Sequence, residues 1–397
     1  MVHPNSSATT VDELVARATE LQPLLRQYAA RAEAHRRVPE PVLAALVEAG
    51  LFRLGVPRRY NGHEAGTRAM IDVSAAVAEG CGSTSWVLTL VNLCAWLTSL
   101  FPVAAQDEVF GADPDARVSG SLSPSATTRK VEGGWRVTGR WYYNSGSLHA
   151  TWAVVGVPLT DGRGGAGDRS LALVPMGELT IEDTWFVAGM RGTGSNCLVA
   201  EDVFVPEHRV MSVPAAVEGC YPTEQHDEVF YRSAFAPILA LLLAAPQLGL
   251  GRAALELVRS KAGSKPVAHT FFATQAESVS FQNRIAAAAM KIDTAHLHVY
   301  RAAEDIDGAA ALGVYPDYTT RARIRADTGY AIEHITAAID ILMSAHGASS
   351  FADSNPLQRI WRDSAVAARQ AAVSPTVSYE VYGKALLGVE DRITPLV

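Results

Sequence analysis

Apolar residues recur at helical spacing over the first hundred positions, alternate with polar ones over the next hundred, and return to helical spacing thereafter. In VDELVARATELQPLLRQYAARAEAHRR, Leu14, Leu21, Leu24, Leu25 and Tyr28 form one apolar stripe with charges between. Thr10, ahead of Asp12 and Glu13, has the chemistry of a helix cap. Pro39 and Pro41 open a further helix and Gly50 closes it. RYNGHEAG reads as a loop, and the segments from Met70 to Ala78 and SWVLTLVNLCAWLTSLF as two more helices. The second is apolar on every face, so it is expected to be buried.

From Arg117 to about Val213 the period shortens to two. VEGGWRVTGRWYYNSG and TWAVVGVPL are rich in Val, Trp and Tyr, with Gly133 and Gly134 placed for a hairpin turn. LALVPM, LTIEDTWF and CLVAEDVFVP continue the strands, and residues 161–168 read as a loop. This zone predicts a small β domain, a barrel or sandwich. Beyond Tyr231, long amphipathic helices end at Gly263, Gly313 and Gly347, and Pro356 and Pro375 frame WRDSAVAARQAAV. The expected fold class is therefore α+β: a helical domain over 1–116, a β domain over 117–222 and a helical bundle over 223–397.

Composition narrows the function. The 397 residues carry 34 Lys and Arg against 41 Asp and Glu, a formal charge of −7, which leaves no excess cation for a nucleic-acid backbone. The first residues, MVHPNSSATTVDELV, have no basic segment leading into an apolar one, so no signal peptide is expected. Four scattered cysteines without a Cys-x-x-Cys pair fit reduced thiols and a cytoplasmic location. The most apolar stretch, ILALLLAAPQLGLG, reads as a core helix, too short for a bilayer and broken by Pro246.

Familiar catalytic signatures are missing. His296 and His298 are two apart on a helix and face different ways, HExxH is absent, and no metal site is expected. No GxSxG elbow frames Ser195, and RGTGSN lacks the third Gly of a dinucleotide fingerprint. RGTGSN is a polar Gly-rich turn that suits a phosphate or flavin edge, and equally a simple strand connection. Trp135, Trp141, Tyr142, Tyr143 and Trp152 crowd eighteen residues. Strand alternation puts Trp141, Tyr143 and then Ser145 on one face and Tyr142 on the other. An aromatic beside a hydroxyl suits a flat, polar-edged heterocycle, although ordinary hairpin packing also accounts for it.

Five segments, GLFRLGVPRRYNG, CGSTSW, SGSLSPSATTRKVEGGWRVTGRWYYNSG, MRGTGSNCLVAEDVFVP and AHGASSFADSNPLQRIWRD, resemble in order the acyl-CoA dehydrogenase superfamily, most closely its flavin-dependent monooxygenase branch. The resemblance implies an N-terminal helical domain, a central β domain, a C-terminal four-helix bundle and a homotetramer. It implies reduced flavin, FMN or FAD, delivered by a separate NAD(P)H:flavin reductase and reacting with O2 to a C4a-hydroperoxide. Matching positions place Tyr143 and Ser145 beside the flavin, with Ser145 near N5 as the catalytic hydroxyl. They place Ser121, Leu122 and Ser123 at the pyrimidine edge, Thr193, Gly194 and Ser195 in the other flavin-facing segment, and His346, Gly347 and Ala348 at the cofactor's tail.

The departures from that pattern matter as much. A dehydrogenase of this fold needs a carboxylate base. At its usual place, eight residues past Asp363, stands Ala371, and PILALLLAAPQLG holds no acid. Phenol hydroxylases of the branch carry histidines where this chain has Cys94 and Gln370, the residues matched to the substrate pocket. Their absence, with YEVYGKALLGVEDRITPLV and FFATQAESVSFQ, resembles the amino-sugar N-oxygenases (nitrososynthases) of antibiotic pathways. The resulting expectation is N-oxidation of a dTDP-linked amino sugar to hydroxylamine or nitroso. The alternative is a two-component aromatic (phenol) hydroxylase; acyl-CoA dehydrogenation or a non-catalytic flavin-fold role stand behind both. KPVAHTFF offers no Arg where one is expected for the flavin phosphate.

Overall fold

The computed structural model describes residues 9–159 and 168–397. The loop expected at 161–168 lies outside them except for Asp168, which begins a strand. The N-terminal part holds α1 (Val11–Glu20), α2 (Gln22–His35), α3 (Glu40–Glu48), α4 (Thr67–Ala78), α5 (Gly82–Ser99) and α6 (Val103–Gln106). Thr10 caps α1 with a full capping box: its hydroxyl accepts from Glu13 N while Glu13 accepts from Thr10 N. Helix α5 is buried along its length except at Leu90, as its unbroken apolar run requires.

Eight strands follow: β1 (Val118–Ser121), β2 (Ala126–Val131), β3 (Gly134–Asn144), β4 (Trp152–Leu159), β5 (Asp168–Pro175), β6 (Thr180–Glu182), β7 (Asn196–Pro206) and β8 (Val210–Ser212). They form two four-stranded sheets, β1-β4-β5-β8 and β2-β3-β7-β6, with β1 and β4 parallel and every other pair antiparallel. The arrangement is a sandwich. Val137 and Trp141 from one sheet meet Ala153, Val155, Val157, Ala172 and Val174 from the other. The alternate residues Val118, Val154, Leu171 and Leu173 face the opposite way and join the helical core. One sheet is thus buried on both faces, which is why TWAVVGVPL is nearly continuous in apolar residues.

Two strand expectations are corrected here. Of LTIEDTWF only Thr180–Glu182 pairs with a neighbour; the backbone beyond is irregular, held by Asn196 Oδ1, which accepts from Thr184 N and Trp185 N. The alternation through Trp141, Tyr143 and Ser145 also fails. Tyr143 has φ +68° and the β3–β7 register shifts between Trp141 and Asn144, so a bulge re-aims the chain. Trp141 is sealed in the sandwich, Tyr142 and Tyr143 both face outward, and Ser145 returns to the interior.

The C-terminal part contains α7 (Val213–Val217), α8 (Phe235–Leu241), α9 (Ala245–Lys261), α10 (Val279–Leu312), α11 (Tyr318–His346), α12 (Pro356–Ala367) and α13 (Pro375–Leu386). The glycine stops act as read: Gly313 (φ +68°) and Gly347 (φ +83°) end α10 and α11. Pro246, however, breaks nothing. It sits in the first turn of α9, where a missing N–H is harmless, and α8, a 3-10 turn and α9 run on through Phe235–Lys261. That stretch of 27 residues is long and apolar enough to cross a bilayer, yet most of it is buried inside the protein. Helices α9, α10 and α11 pack as a bundle joined by α13, and α4 lies against α9. At that crossing a Cβ on Gly249 would fall 2.1 Å from Ala75 O, so only glycine permits the approach.

Candidate active site

Where α5 meets the β sandwich, four polar side chains are buried in a row. Trp86 Nε1, one turn into α5, donates to Ser145 Oγ at 3.1 Å. Ser145 Oγ lies 2.8 Å from Ser195 Oγ, which lies 2.6 Å from Thr193 Oγ1. Thr193 Oγ1 donates to Met190 O at 2.8 Å. The backbone zips the same two segments together: Gly146 N donates to Thr193 O, and Ser147 Oγ to Gly194 O. Ser119 Oγ, from β1, donates to Ser145 O at 3.0 Å. Ser145, Thr193 and Ser195 thus form one cluster, and Trp86 and Ser119 complete it.

RGTGSN folds as a 3-10 turn between two left-handed residues, Met190 (φ +53°) and Gly194 (φ +53°). A Cβ on Gly194 would stand 2.9 Å from Arg36 O, so this glycine serves both conformation and space. Met190 tolerates its strained backbone because its N–H donates to Asp363 Oδ1 at 2.5 Å. Asp363 is fully enclosed, and desolvation raises its carboxyl from 3.8 to about 6. It reaches Met190 from α12 because a Cβ on Gly189 would meet Arg362 O at 2.2 Å, so the two backbones touch.

The remaining expected residues divide. Tyr143 stands open at 72% exposure, its ring edge-on to Trp185 at 6.1 Å, forming an aromatic wall outside the cluster. Ser121 and Leu122 are half-buried and Ser123 is exposed at the end of β1, where a Cβ on Gly156 would fall 2.4 Å from Leu122 O. Cys94 is buried against β1, its sulfur 2.8 Å from where a Cβ on Gly120 would be, and burial pushes the thiol up to about 12. Gln370 is exposed, and its Oε1 accepts from Ala372 N at 2.5 Å, capping the next turn.

His346, Gly347 and Ala348 form a second group. They line a cavity of about 650 Å³ with Lys265, Gln275 and Arg284. Lys265 Nζ donates to His346 O and, at 2.8 Å, to Ser349 Oγ. Gln275 Oε1 and His346 Nδ1 are buried without partners, so polar atoms are left for a guest. Burial and the nearby Lys265 and Lys261 lower the His346 imidazole, keeping it neutral. Two cations and no carboxylate suit an anion such as a phosphate, with Lys265 standing in KPVAHTFF where an Arg was expected. No hydrogen bond among the described residues joins this group directly to the Ser145 cluster.

Three site residues escaped the sequence reading. Trp86 lies within CGSTSW, but nothing in the pattern says that its N–H turns toward the sandwich. Asp363 sits in the quoted WRD, yet its partner is a backbone amide 173 residues away. Met190 carries no polar side chain, and only its backbone enters the site. Among the described residues no group of three or more His, Cys, Asp or Glu comes together as a metal site.

Comparison with known proteins places this architecture. Residues 10–110 match the acyl-CoA dehydrogenase N-terminal domain and residues 241–375 the acyl-CoA dehydrogenase C-terminal domain. The flavin-dependent monooxygenase oxygenase subunit HsaA of Rhodococcus jostii (strain RHA1) is 35% identical over 376 residues, 94% of this chain and 98% of the relative. The structure of XiaF from Streptomyces sp. in complex with FADH2 and glycerol superposes with TM-score 0.92 at 38% identity, covering 98% of each chain. The FADH(2)-dependent resorcinol hydroxylase oxygenase component of Rhizobium sp. (strain MTP-10005) is 29% identical, covering 96% of this chain and 95% of the relative. The chain belongs to the flavin-dependent monooxygenases built on the acyl-CoA dehydrogenase fold. It is the oxygenase component of a two-component system: it uses reduced flavin, and a separate flavin reductase provides it.

Proposed function

We propose that this monooxygenase hydroxylates an aromatic substrate, a phenol or a related fused ring. The observation that carries this reading is the character of the wall beside Ser145. Helix α5 supplies the Trp86 indole to Ser145 and the Val87 and Val91 side chains to the adjacent Gly146, and it contains no Asp, Glu, Lys, Arg or His. An apolar wall with a few hydroxyls suits a flat, uncharged ring. A dTDP-linked sugar would bring a diphosphate, and α5 has no cation to meet it. The relatives point the same way: one is named for resorcinol, and none of the three is named for an amino sugar. The amino-sugar expectation rested on the resemblance of YEVYGKALLGVEDRITPLV and FFATQAESVSFQ and on missing histidines at Cys94 and Gln370. Gln370 is an exposed capping residue and Cys94 is packed under β1, so neither position reports on the substrate as that argument needs.

Reduced flavin and O2 supply one oxygen atom to the substrate and release the other as water, the flavin leaving oxidised. The chain's residues do the rest. Ser145 presents its hydroxyl to the ring near N5, and Tyr143 with Trp185 walls the ring's flank. The turn at Thr193 to Ser195 holds Ser145 in place, and Ser121, Leu122 and Ser123 meet the pyrimidine edge. His346, Gly347 and Ala348, with Lys265, hold the tail. The Ser145 cluster is buried, so bulk water is kept from the reacting centre. Among the described residues no carboxylate bonds to the Ser145, Ser195 and Thr193 hydroxyls, and Asp363 is turned to Met190 N.

The test supplies the protein with a flavin reductase, NADH, FAD or FMN and O2, and screens phenols and indoles beside dTDP-amino sugars by mass. A product heavier by one oxygen from a phenol or indole is expected. Oxidation of the amino sugars alone would overturn the reading.

A further inference from the structure

Helix α12 grips the turn ahead of Thr193 at three consecutive residues. Arg362 Nη1 donates to Ala188 O, Gly189 lies against the Arg362 backbone, and Asp363 Oδ1 accepts from Met190 N at 2.5 Å. The site converges on Met190. Its carbonyl accepts from Thr193 Oγ1 at 2.8 Å and from Trp185 Nε1 at 2.9 Å. Through Thr193 it reaches Ser195 and Ser145, and through Trp185 it reaches the Tyr143 ring. Only the torsions of Met190 lie between the held amide and the accepting carbonyl. Its φ of +53° is one that a non-glycine residue rarely keeps without a constraint. Here the constraint is a carboxyl group, and an ionised acceptor holds an N–H more strongly than a neutral one.

We infer that the Asp363 carboxylate is a positioning group of the active site: by fixing Met190 it sets both the row of hydroxyls ending at Ser145 and the Trp185–Tyr143 wall against the flavin. This rests on the flavin assignment above. Asp363 acts only through the Met190 backbone. The groups facing it are the Met190 amide, Arg359 and Arg362 on α12, Glu33 on α2 and the Cys81 thiol ahead of α5. Burial outweighs the amide and the two guanidinium groups and lifts the carboxyl from 3.8 to about 6. The charge is therefore present at pH 8 and mostly neutralised at pH 5. An asparagine would offer Met190 N an oxygen without burying a charge, so stability alone does not call for an aspartate here.

The test begins with the flavin-free protein. Hydrogen–deuterium exchange of peptides within 184–196, corrected for intrinsic rates, is compared between wild type and Asp363→Asn at pH 8 and pH 5. At pH 8 the turn of the variant is expected to exchange roughly tenfold faster, the difference between a charged and a neutral acceptor. At pH 5 the gap closes. A second measurement mixes the full chain, in excess over photoreduced FAD, with aerated buffer at the same two pH values. It follows release of H2O2, one per FAD oxidised as O2 takes up two electrons and two protons. The variant is expected to release it faster by a similar factor at pH 8 and to match wild type at pH 5. Should Asp363→Asn fail to fold, wild type alone decides: protection of 184–196 must fall between pH 8 and pH 5 while that of α9 does not. Equal exchange at pH 8, a gap of the same size at both pH values, or a loosened turn with unchanged peroxide release each overturns the inference. Wild-type protein that releases peroxide as fast as free reduced FAD overturns the flavin assignment, and the exchange comparison still judges the hold on Met190.

Discussion

Asp363→Asn isolates the charge of a carboxylate that has no water around it. Its side chain reaches Met190 N, and the charged groups acting on it are Arg359 and Arg362 on α12 and Glu33 on α2; the Cys81 thiol lies beside it at the start of α5. Burial outweighs the two guanidinium groups, so the carboxyl rises from 3.8 to about 6. A raised value means that the folded protein binds this proton more tightly than the unfolded chain. The group therefore adds stability at low pH, and that stability is lost as pH climbs through about 6. Weighing the two protonation equilibria, the loss between pH 5 and pH 7 is about 1.3 kcal/mol. The amide variant keeps an oxygen for Met190 N but has no proton to lose. Urea unfolding of both proteins at pH 5, 6 and 7 should show the variant gaining on wild type by about that amount as pH rises. Parallel curves across the range would refute the reasoning, because the carboxyl would then be as well solvated folded as unfolded.

Three further outcomes are expected. Ser145→Ala should release more hydrogen peroxide per flavin oxidised, read with an oxygen electrode before and after catalase; unchanged coupling removes Ser145 from its role. Gly189→Ala puts a Cβ within 2.2 Å of Arg362 O, so the loop must leave α12 and the unfolding midpoint should drop, by a cost of roughly 1–3 kcal/mol. Of the four cysteines only Cys220 is exposed, so a disulfide reagent at pH 8 should modify one thiol in the native protein and four after denaturation.

Much of the fold was legible because period is a local property. The switch from helical spacing to alternation located the sandwich, and Gly313 and Gly347 ended their helices where read. What failed were effects that depend on non-local geometry. The bulge at Tyr143 follows from how β3 meets β7, and no pattern in WRWYYNSG announces it; alternation placed Ser145 by a rule that the bulge suspends. Pro246 looked like a break because its place in a first turn shows only once the preceding 3-10 turn is seen. At the site, the hydroxyls Thr193, Ser195 and Ser145 were found through motif order. Trp86, Asp363 and the Met190 backbone were not, since each acts through a partner distant in sequence. The relatives favour the aromatic alternative over the amino-sugar reading, which had weighed two absent histidines as pocket chemistry without the burial of Cys94 and the capping role of Gln370.

Helix α12 touches every part of the molecule. Asn355 at its start bonds His346 at 3.1 Å, and Asp363, about 12 Å further along the axis, holds Met190. Between them Trp361 Nε1 reaches Asp340 on α11, Arg362 pairs with Glu33 on α2 at 2.6 Å, and the neighbouring Ser364 and Gln247 bond each other twice. The Met190 bond ties α12 to the β domain, the Glu33 pair ties it to the N-terminal helices, and the others seat it on the C-terminal bundle, so this one helix joins all three blocks.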